Sequence, residues 1–476
     1  MVGARLAEEV RRRDPNGTRV RLTVLGAERR PAYNRVLLST VLAGGLSERS
    51  VELHPRGWAA RQRVDLRLGV AATGIDRDRR VVTCDDGGEV RYDELVLATG
   101  SRAWLPPVAE GRHALVVEPR DLDDCARILA MARPGARFAV LGGGLLGCEA
   151  ARGLAGRGVR VTLVHPVGHL MERQLDPAAG AVLAAALDRL GVDVRLGVTA
   201  TTWVPGTGVR CADGSVVAAD ALVVAAGVRA ETGLAAAAGV ATDRGVLVDD
   251  RLATSDERVH AIGDCAQHPG TAAGLVQPGW EQAAVLADLL SGTAPAARYR
   301  GTRAVTRLKA RGVDLAVVGD PYALHADGLE VLRFADPTGG RYAAVALRDD
   351  RVVGGSMIGL PDAAASLIQY YDTGVPAPAD RLGLLFGRAL PGAATETADP
   401  GHLPASAVVC RCNTVTKGAL VAAWRGGATD PGALRRATRA GTGCGSCADA
   451  IGGICAWLAD SDPPVILSAV GEEGAA

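Results

Sequence analysis

The chain has 476 residues, with 53 basic and 53 acidic side chains, so its formal net charge is zero. That balance argues against nucleic acid or an anionic membrane surface as the main partner, and the length suits two to four domains with cores of their own. No apolar run reaches the length of a membrane span and the first residues lack a signal peptide's charged and apolar blocks, so a cytoplasmic protein is expected.

Met1-Val2-Gly3 leads straight into ARLAEEVRRRD, which reads as an amphipathic helix with Leu6 and Val10 turned inward. A strand is predicted within Arg19–Glu28, and alternating polarity over Val64–Val82 predicts strands and turns. Tyr92–Ser101 reads as an apolar strand ending in Ala98-Thr99-Gly100, small residues that let backbone approach a bound cofactor. Trp104–Pro107 reads as a linker.

The stretch Arg137–Pro166 carries the most information. It reads as strand (Phe138–Leu141), glycine turn, helix (Leu145–Arg157) and second strand (Val159–Val164). Gly142, Gly144 and Gly147 form G-x-G-x-x-G: the first permits the sharp turn, the second a close pyrophosphate, the third tight packing of helix on strand. The diphosphate would sit at the helix N-terminus, where free N–H groups and the helix dipole favour negative charge.

The opening MVGARLAEE matches LLGCEAARG of this stretch position by position, which makes Gly3 the third glycine of a second fingerprint. The strand and two glycines that should precede it are missing, so the chain is expected to start inside a first nucleotide-binding unit. An upstream reading frame would then encode an apolar strand ending G-x-G. Glu94–Arg102 (ELVLATGSR) and Ala221–Arg229 (ALVVAAGVR) echo each other, which supports two related halves.

Further on, Thr254–Cys265 (TSDERVHAIGDC) reads as a polar turn, a short strand and Gly263-Asp264. Gly279–Leu290 predicts a helix, and strands return over 300–380. Residues 388–406 are rich in Pro, Ala, Gly and Thr and read as a linker. Of ten cysteines, Cys84, Cys125, Cys148, Cys211 and Cys265 are scattered and read as core residues, as does Cys455. Cys410, Cys412, Cys444 and Cys447 give C-x-C-x31-C-x2-C, four thiolates that suit a [2Fe–2S] cluster or zinc.

Paired nucleotide-binding units, A-T-G after the first and T-S-x-x-x-V-H-A-I-G-D after the second together resemble the two-dinucleotide-binding FAD/NAD(P)H flavoproteins. YNRVLLS, HLMERQLD at 169–176 and GVDL at 312–315 resemble a narrower group. That group comprises the flavoprotein part of nitrite reductase large subunits and the electron-transfer subunit of assimilatory nitrate reductase. The cysteine spacing resembles bacterioferritin-associated ferredoxin, a small helical [2Fe–2S] module.

The resemblance implies an α/β fold: two Rossmann-like, glutathione-reductase-like nucleotide-binding domains, an α+β interface domain and the helical [2Fe–2S] module, with the first strand of the FAD unit missing. The implied FAD domain is 1–107 plus 230–297, and the NAD(P)H domain 108–229. The interface domain would be 298–385, a linker 386–406, the [2Fe–2S] domain 407–460 and a tail 461–476.

By position, Gly3, Glu28, Thr99, Gly100, Gly263 and Asp264 would contact FAD, with Tyr33, Asn34 and Arg35 near the flavin. Gly142, Gly144, Gly147 and Gly227 would line the NAD(P)H site. Glu149 matches an acid near the nicotinamide, and it would serve equally as a partner of the helix dipole. Cys410, Cys412, Cys444 and Cys447 would hold the cluster.

The acid expected at the end of the second strand is His165, so NADH or NADPH stays open, with a lean to NADH from the family. The C-x4-C pair of disulfide reductases is absent, and Ser39–Gly44 lacks the single cysteine of related peroxidases. No nucleophile or proton-transfer triad is implied. The expected function is transfer of electrons from NAD(P)H through FAD and the cluster to a separate redox protein, most of all a molybdenum nitrate reductase. No nucleic acid and no membrane is involved, and a homodimer is admitted. Alternatives are a ferredoxin- or rubredoxin-type reductase, a dehydrogenase complex, and an iron- or redox-sensing flavoprotein without turnover.

Overall fold

The computed structural model describes the chain apart from residues 110–112, 270–273, 321–322, 325, 388–399, 444, 446 and 463–476. Met1–Arg388 and Ala389–Ala476 form two compact units.

The first unit opens on helix α1 (Val2–Arg13), whose Leu6 and Val10 are buried as its amphipathic spacing predicts. Strand β1 (Leu22–Gly26), helix α2 (Leu38–Leu42), strand β2 (Val64–Leu68) and strand β3 (Leu95–Leu97) follow. A three-stranded antiparallel sheet covering 72–91 lies between β2 and β3.

Next come β4 (Val116–Val117), β5 (Arg137–Leu141), α3 (Leu145–Ala155), β6 (Arg160–His165), α4 (Pro177–Arg189), β7 (Val192–Leu196) and β8 (Ala221–Val224). They make a parallel sheet in the order β7–β6–β5–β8–β4. Buried on both faces, its central strands read as near-continuous apolar runs, with Phe138, Val140 and Leu163 almost wholly shielded. Another small antiparallel sheet, over 200–218, sits between β7 and β8 just as 72–91 sits between β2 and β3.

Strand β9 (Val259–Ala261) returns beside β3 in parallel, while β1 pairs with β2 in parallel. Set against the five-stranded sheet, β2–β1 matches β7–β6 and β3–β9 matches β8–β4. Among the described residues nothing matches β5, the central strand. The consequence is visible in burial: β6 and β8 are largely buried, whereas β1 has no buried residue and β3 has one, Leu97. The two half-sheets nevertheless share a core with α1 and the helix α5 (Val276–Ser291).

Helix α5 is longer than the sequence predicts. Pro278 lies in its first turn, where a missing N–H costs nothing, so the proline does not mark the start. A five-stranded antiparallel sheet follows over 305–358, with helix Pro361–Thr373 packed on it. Its central hairpin turns through Asp349 and Asp350, both with positive φ (48° and 59°), the conformation a two-residue hairpin demands and Asp tolerates. Tyr342 of this sheet donates to Asp176, which also caps α4 by accepting from the Ala179 N–H at 2.8 Å. The run HLMERQLD therefore ends on a structural acid.

The second unit contains a short antiparallel pair, Val408–Cys410 with Val415–Thr416, and helices Lys417–Arg425, Pro431–Thr438 and Ala448–Ser461. Asp430 and Thr416 cap two of these through side-chain oxygens. Among the described residues, no helix is long and apolar enough to cross a membrane. Cys84, Cys125, Cys148, Cys211, Cys265 and Cys455 are all buried, as core residues should be.

Candidate functional site

The glycine turn between β5 and α3 is built as a phosphate cradle. Gly142 has φ of 107°, and a Cβ there would lie 2.4 Å from the Ala225 carbonyl oxygen. A Cβ on Gly147 would lie 1.9 Å from the Gly142 oxygen, so helix and turn touch backbone to backbone. Gly144 is the N-cap of α3 and no side chain caps that end. Its first N–H groups are therefore available to an anion. Gly227, three residues beyond β8, has φ of 114°. Gly147→Ala is expected to force α3 off the strand and weaken NAD(P)H binding about a hundredfold, since a displacement near 1 Å in a positioned site costs that much. A binding titration with unchanged affinity would contradict this.

Glu149 is almost fully buried in α3 and lies between three segments of chain. It accepts from Ser39 Oγ of α2 at 2.5 Å, and from Lys309 Nζ and the Lys309 backbone N–H, both at 3.0 Å. Of the two readings open for Glu149, the helix-dipole one does not describe its contacts: its partners are a lysine and a serine from elsewhere in the chain.

A second cluster lies at the C-terminal ends of β3 and β9. Ser101 Oγ donates to Asp264 Oδ2 at 2.9 Å, and Arg120 Nη2 donates to the Ser101 carbonyl at 2.7 Å and its hydroxyl at 2.9 Å. Arg35 Nη1 donates to the Arg120 carbonyl at 3.0 Å and its guanidinium pairs with Glu28. Tyr33 donates to Glu28 at 2.7 Å and lies under the Arg35 guanidinium. The structure thus links Glu28, Tyr33, Arg35 and Asp264 through Arg120 and Ser101, neither of which the sequence singled out. Asn34 is used inside the fold: it is buried and its Oδ1 accepts the Val36 N–H, capping the turn Arg35–Leu37. Thr99 donates to the Glu231 carbonyl at 2.8 Å and the Glu231 N–H returns to Gly100.

These residues fit a dinucleotide such as FAD. Helix α1 has no side-chain cap, and Gly3 lets it come within contact of Ala98, where a Cβ would stand 3.2 Å from the Ala98 Cβ. The Gly263 N–H is held by Gln282 Oε1 at 2.8 Å. The Gln282 Nε2 of the same side chain is buried and without a protein partner, a donor left over beside the Gly263–Asp264 turn.

Asp124 backs this cluster by accepting the Arg120 N–H. Burial, with the Asp121 charge beside it, pushes the Asp124 carboxyl up to about 6. The folded chain then holds more protons than the unfolded one between about pH 4 and 6, so this group's contribution to stability falls as pH rises through that window. Asp124→Asn is expected to flatten that pH dependence and to stabilise the protein at pH 7 by about 1–3 kcal/mol. Urea unfolding at pH 4.5 and 7 checks it; parallel pH profiles for both proteins would refute it.

In the second unit Cys410, Cys412 and Cys447 are buried. The Cys410 and Cys412 sulfurs are 3.9 Å apart. Two thiolates on one tetrahedral metal with bonds near 2.3 Å would be about 3.8 Å apart. The Gly441 N–H and Asn413 Nδ2 point at the Cys410 sulfur at 3.5 and 3.7 Å. The Cys412 and Cys447 thiols, with the Gly441 and Asn413 backbone N–H groups, draw the Cys410 thiol far below its ordinary value. Among the described residues the thiols do not by themselves complete a three-donor metal group, and Cys444 lies outside the described residues. The donor set and its N–H groups fit a thiolate-bound cluster.

Comparison with known proteins agrees. Residues 2–285 match the pyridine nucleotide-disulphide oxidoreductase family, and residues 408–457 match the BFD-like [2Fe-2S] binding domain. The chain is 35% identical over 454 residues to the nitrite reductase [NAD(P)H] large subunit of Klebsiella oxytoca, covering 94% of this chain and 47% of that protein. It is 30% identical over 473 residues to the assimilatory nitrate reductase electron transfer subunit of Bacillus subtilis, covering 97% of this chain and 59% of that protein. The chain therefore spans about half the length of these curated relatives. Among solved structures, the covalent putidaredoxin reductase–putidaredoxin complex superposes with a TM-score of 0.73 at 26% identity, covering 82% of this chain and 94% of that one. With a glycine cradle, a second cofactor cluster and a cysteine module all in place, the chain belongs to the pyridine nucleotide-disulphide oxidoreductase family and carries a BFD-like [2Fe-2S] binding domain.

Proposed function

We propose that this chain is an NAD(P)H-dependent oxidoreductase that delivers electrons to a separate redox protein. The observation that carries the reading is the union, in one polypeptide, of the Gly142–Gly147 cradle and the Cys410/Cys412/Cys447 thiols. When bound, FAD converts a hydride into single electrons and a [2Fe–2S] cluster carries them one at a time.

The protein's own part is positioning. The α3 N-terminus and Gly227 hold the nicotinamide dinucleotide, and Glu149 orders the junction of α2, α3 and Lys309. Gly3, Glu28, Thr99, Gly100, Gly263 and Asp264 hold FAD, with Tyr33 and Arg35 bracing Glu28 and Asn34 bracing the turn. Cys410, Cys412, Cys444 and Cys447 hold the cluster, and the Gly441 N–H favours negative charge on the Cys410 sulfur. A molybdenum nitrate reductase is the acceptor this reading favours, on the strength of the Bacillus subtilis relative's name. The buried free cysteines suit a reducing, cytoplasmic setting, and a homodimer is part of the reading, to be checked by light scattering.

The experiment compares the full chain with Cys410→Ser and Cys447→Ser. Both variants are expected to lose iron and to lose reduction of a protein acceptor such as cytochrome c. Both should keep NADH-driven reduction of ferricyanide, which can take electrons from the flavin directly. Absence of turnover with either acceptor in the parent chain would refute the proposal and leave the sensor reading.

A further inference from the structure

The end of β6 does not carry the acid expected there. His165 ends β6 with its ring almost fully buried against the glycine turn. The Gly143 N–H donates to His165 Nδ1 at 3.0 Å. Nδ1 is thereby assigned as an acceptor, so the proton of the neutral ring sits on Nε2. Nε2 lies 3.0 Å from Glu172 Oε2 and donates to it. The loop after β6 folds back on the same residue: the Met171 N–H donates to the Gly143 carbonyl at 2.9 Å, and Met171 adopts φ of 53° to do so. Gly143 is thus gripped through its N–H and its C=O, and a Cβ there would collide with Leu170 and His165 at 2.6 and 2.7 Å.

This construction sets the Glu172 carboxylate beside the glycine turn and the end of the second strand. That is where, in a β-α-β nucleotide fold, the adenosine ribose of a dinucleotide lies. One carboxylate oxygen takes the histidine proton. The side chain is 31% exposed, so the group is open to a ligand. A carboxylate accepts from a ribose 2′-hydroxyl and repels a 2′-phosphate. The hydrogen bond from His165 also holds the Glu172 carboxyl below its ordinary range, which keeps it charged.

We infer that Glu172, held in place by His165, is the specificity-determining acid of the nucleotide site and selects NADH over NADPH. This rests on the proposed NAD(P)H-dependent reading and deepens it. Glu172 touches the ligand; His165 is a positioning residue, acting through Glu172 and Gly143. Arg173 is the adjacent cation and is exposed, so a site built around it would show the opposite preference.

The test is calorimetric binding of NAD+ and NADP+ to the full chain, with steady-state kinetics for NADH and NADPH alongside. The parent chain should bind NAD+ at least about tenfold tighter, the worth of one charged hydrogen bond gained or lost. Glu172→Gln keeps the size and a hydrogen bond to His165, and should shrink that ratio by about tenfold, through Kd and KM rather than kcat. Arg173→Gln should leave the ratio unchanged. A parent chain that prefers NADP+, a Glu172→Gln ratio equal to the parent's, or a ratio that moves with Arg173 instead overturns the inference while leaving the electron-transfer function standing. Binding of neither nucleotide overturns both.

Discussion

Replacing Lys309 with methionine is expected to destabilise the protein by about 3 kcal/mol, the cost of leaving one member of a buried ion pair without its partner. Glu149 is only 3% exposed, and Lys309 Nζ at 3.0 Å is its charged neighbour. After the substitution the carboxylate retains two neutral donors, Ser39 Oγ and the Lys309 backbone N–H. They satisfy its lone pairs and leave its charge unopposed. Glu149→Gln alone strands the lysine instead, at lower cost, because Lys309 is partly solvated. The double variant Glu149→Gln/Lys309→Met should be more stable than the sum of the single losses predicts, since neither charge is then left over. Because Glu149 joins α2, α3 and the connection between the first two strands of the antiparallel sheet, the single variants should also slow hydride transfer to the flavin. Thermal midpoints and stopped-flow flavin bleaching measure the two effects. A Lys309→Met protein as stable as the parent, or strictly additive losses, would show that the pair is not coupled.

How far the sequence could be read follows from how local each feature is. The cradle was legible because Gly142, Gly144 and Gly147 act within six residues of one another, and each glycine is needed where backbone meets backbone. The echo between the two halves was legible because strand–turn–helix texture repeats. The cysteine quartet was legible from spacing, though its chemistry stayed open between iron–sulfur and zinc until the module matched a [2Fe-2S] domain.

What escaped were contacts fixed by packing. Glu149 meets Ser39 and Lys309 across 110 and 160 positions of chain. Arg120 reaches Ser101 and carries Arg35, a network with no sequence period. The end of β6 is not acidic, and the carboxylate beside it, Glu172, belongs to a loop that doubles back over seven residues to meet His165. A hint was present in the motif HLMERQLD, which places an acid just beyond a strand whose own end is not acidic. The Asn34 side chain also closes a turn, a contact that no sequence motif marks.

A larger effect is expected from offering a further strand to β1 and β3, each of which has one strand neighbour among the described residues. In the five-stranded sheet, β5 pairs with both β6 and β8 and carries the glycine turn; in the first half, among the described residues, β1 pairs only with β2 and β3 only with β9. Fusing the chain's own Arg137–Gly144 segment ahead of Met1 should place a parallel strand there, with its glycines delivered to the N-terminus of α1. Each strand residue would gain ladder hydrogen bonds on both sides and bury apolar surface at about 25 cal/mol per Å². Val24, Leu25 and Val96, now half-exposed, should become buried. Two readouts follow from one cause. Hydrogen exchange in β1 and β3 should slow by orders of magnitude relative to the parent, towards the protection of β6 and β8. FAD content after purification should rise towards one per chain, because the diphosphate would meet two turns' worth of N–H groups in place of the α1 terminus alone. A scrambled segment of equal composition is the control, since a strand with its apolar alternation broken cannot fill a site buried on both faces. If the scrambled fusion protects β1 and β3 as well as the ordered one, or if neither does, β1 and β3 do not take a strand the way β6 and β8 take β5, and their likeness to β7–β6 and β8–β4 is coincidence.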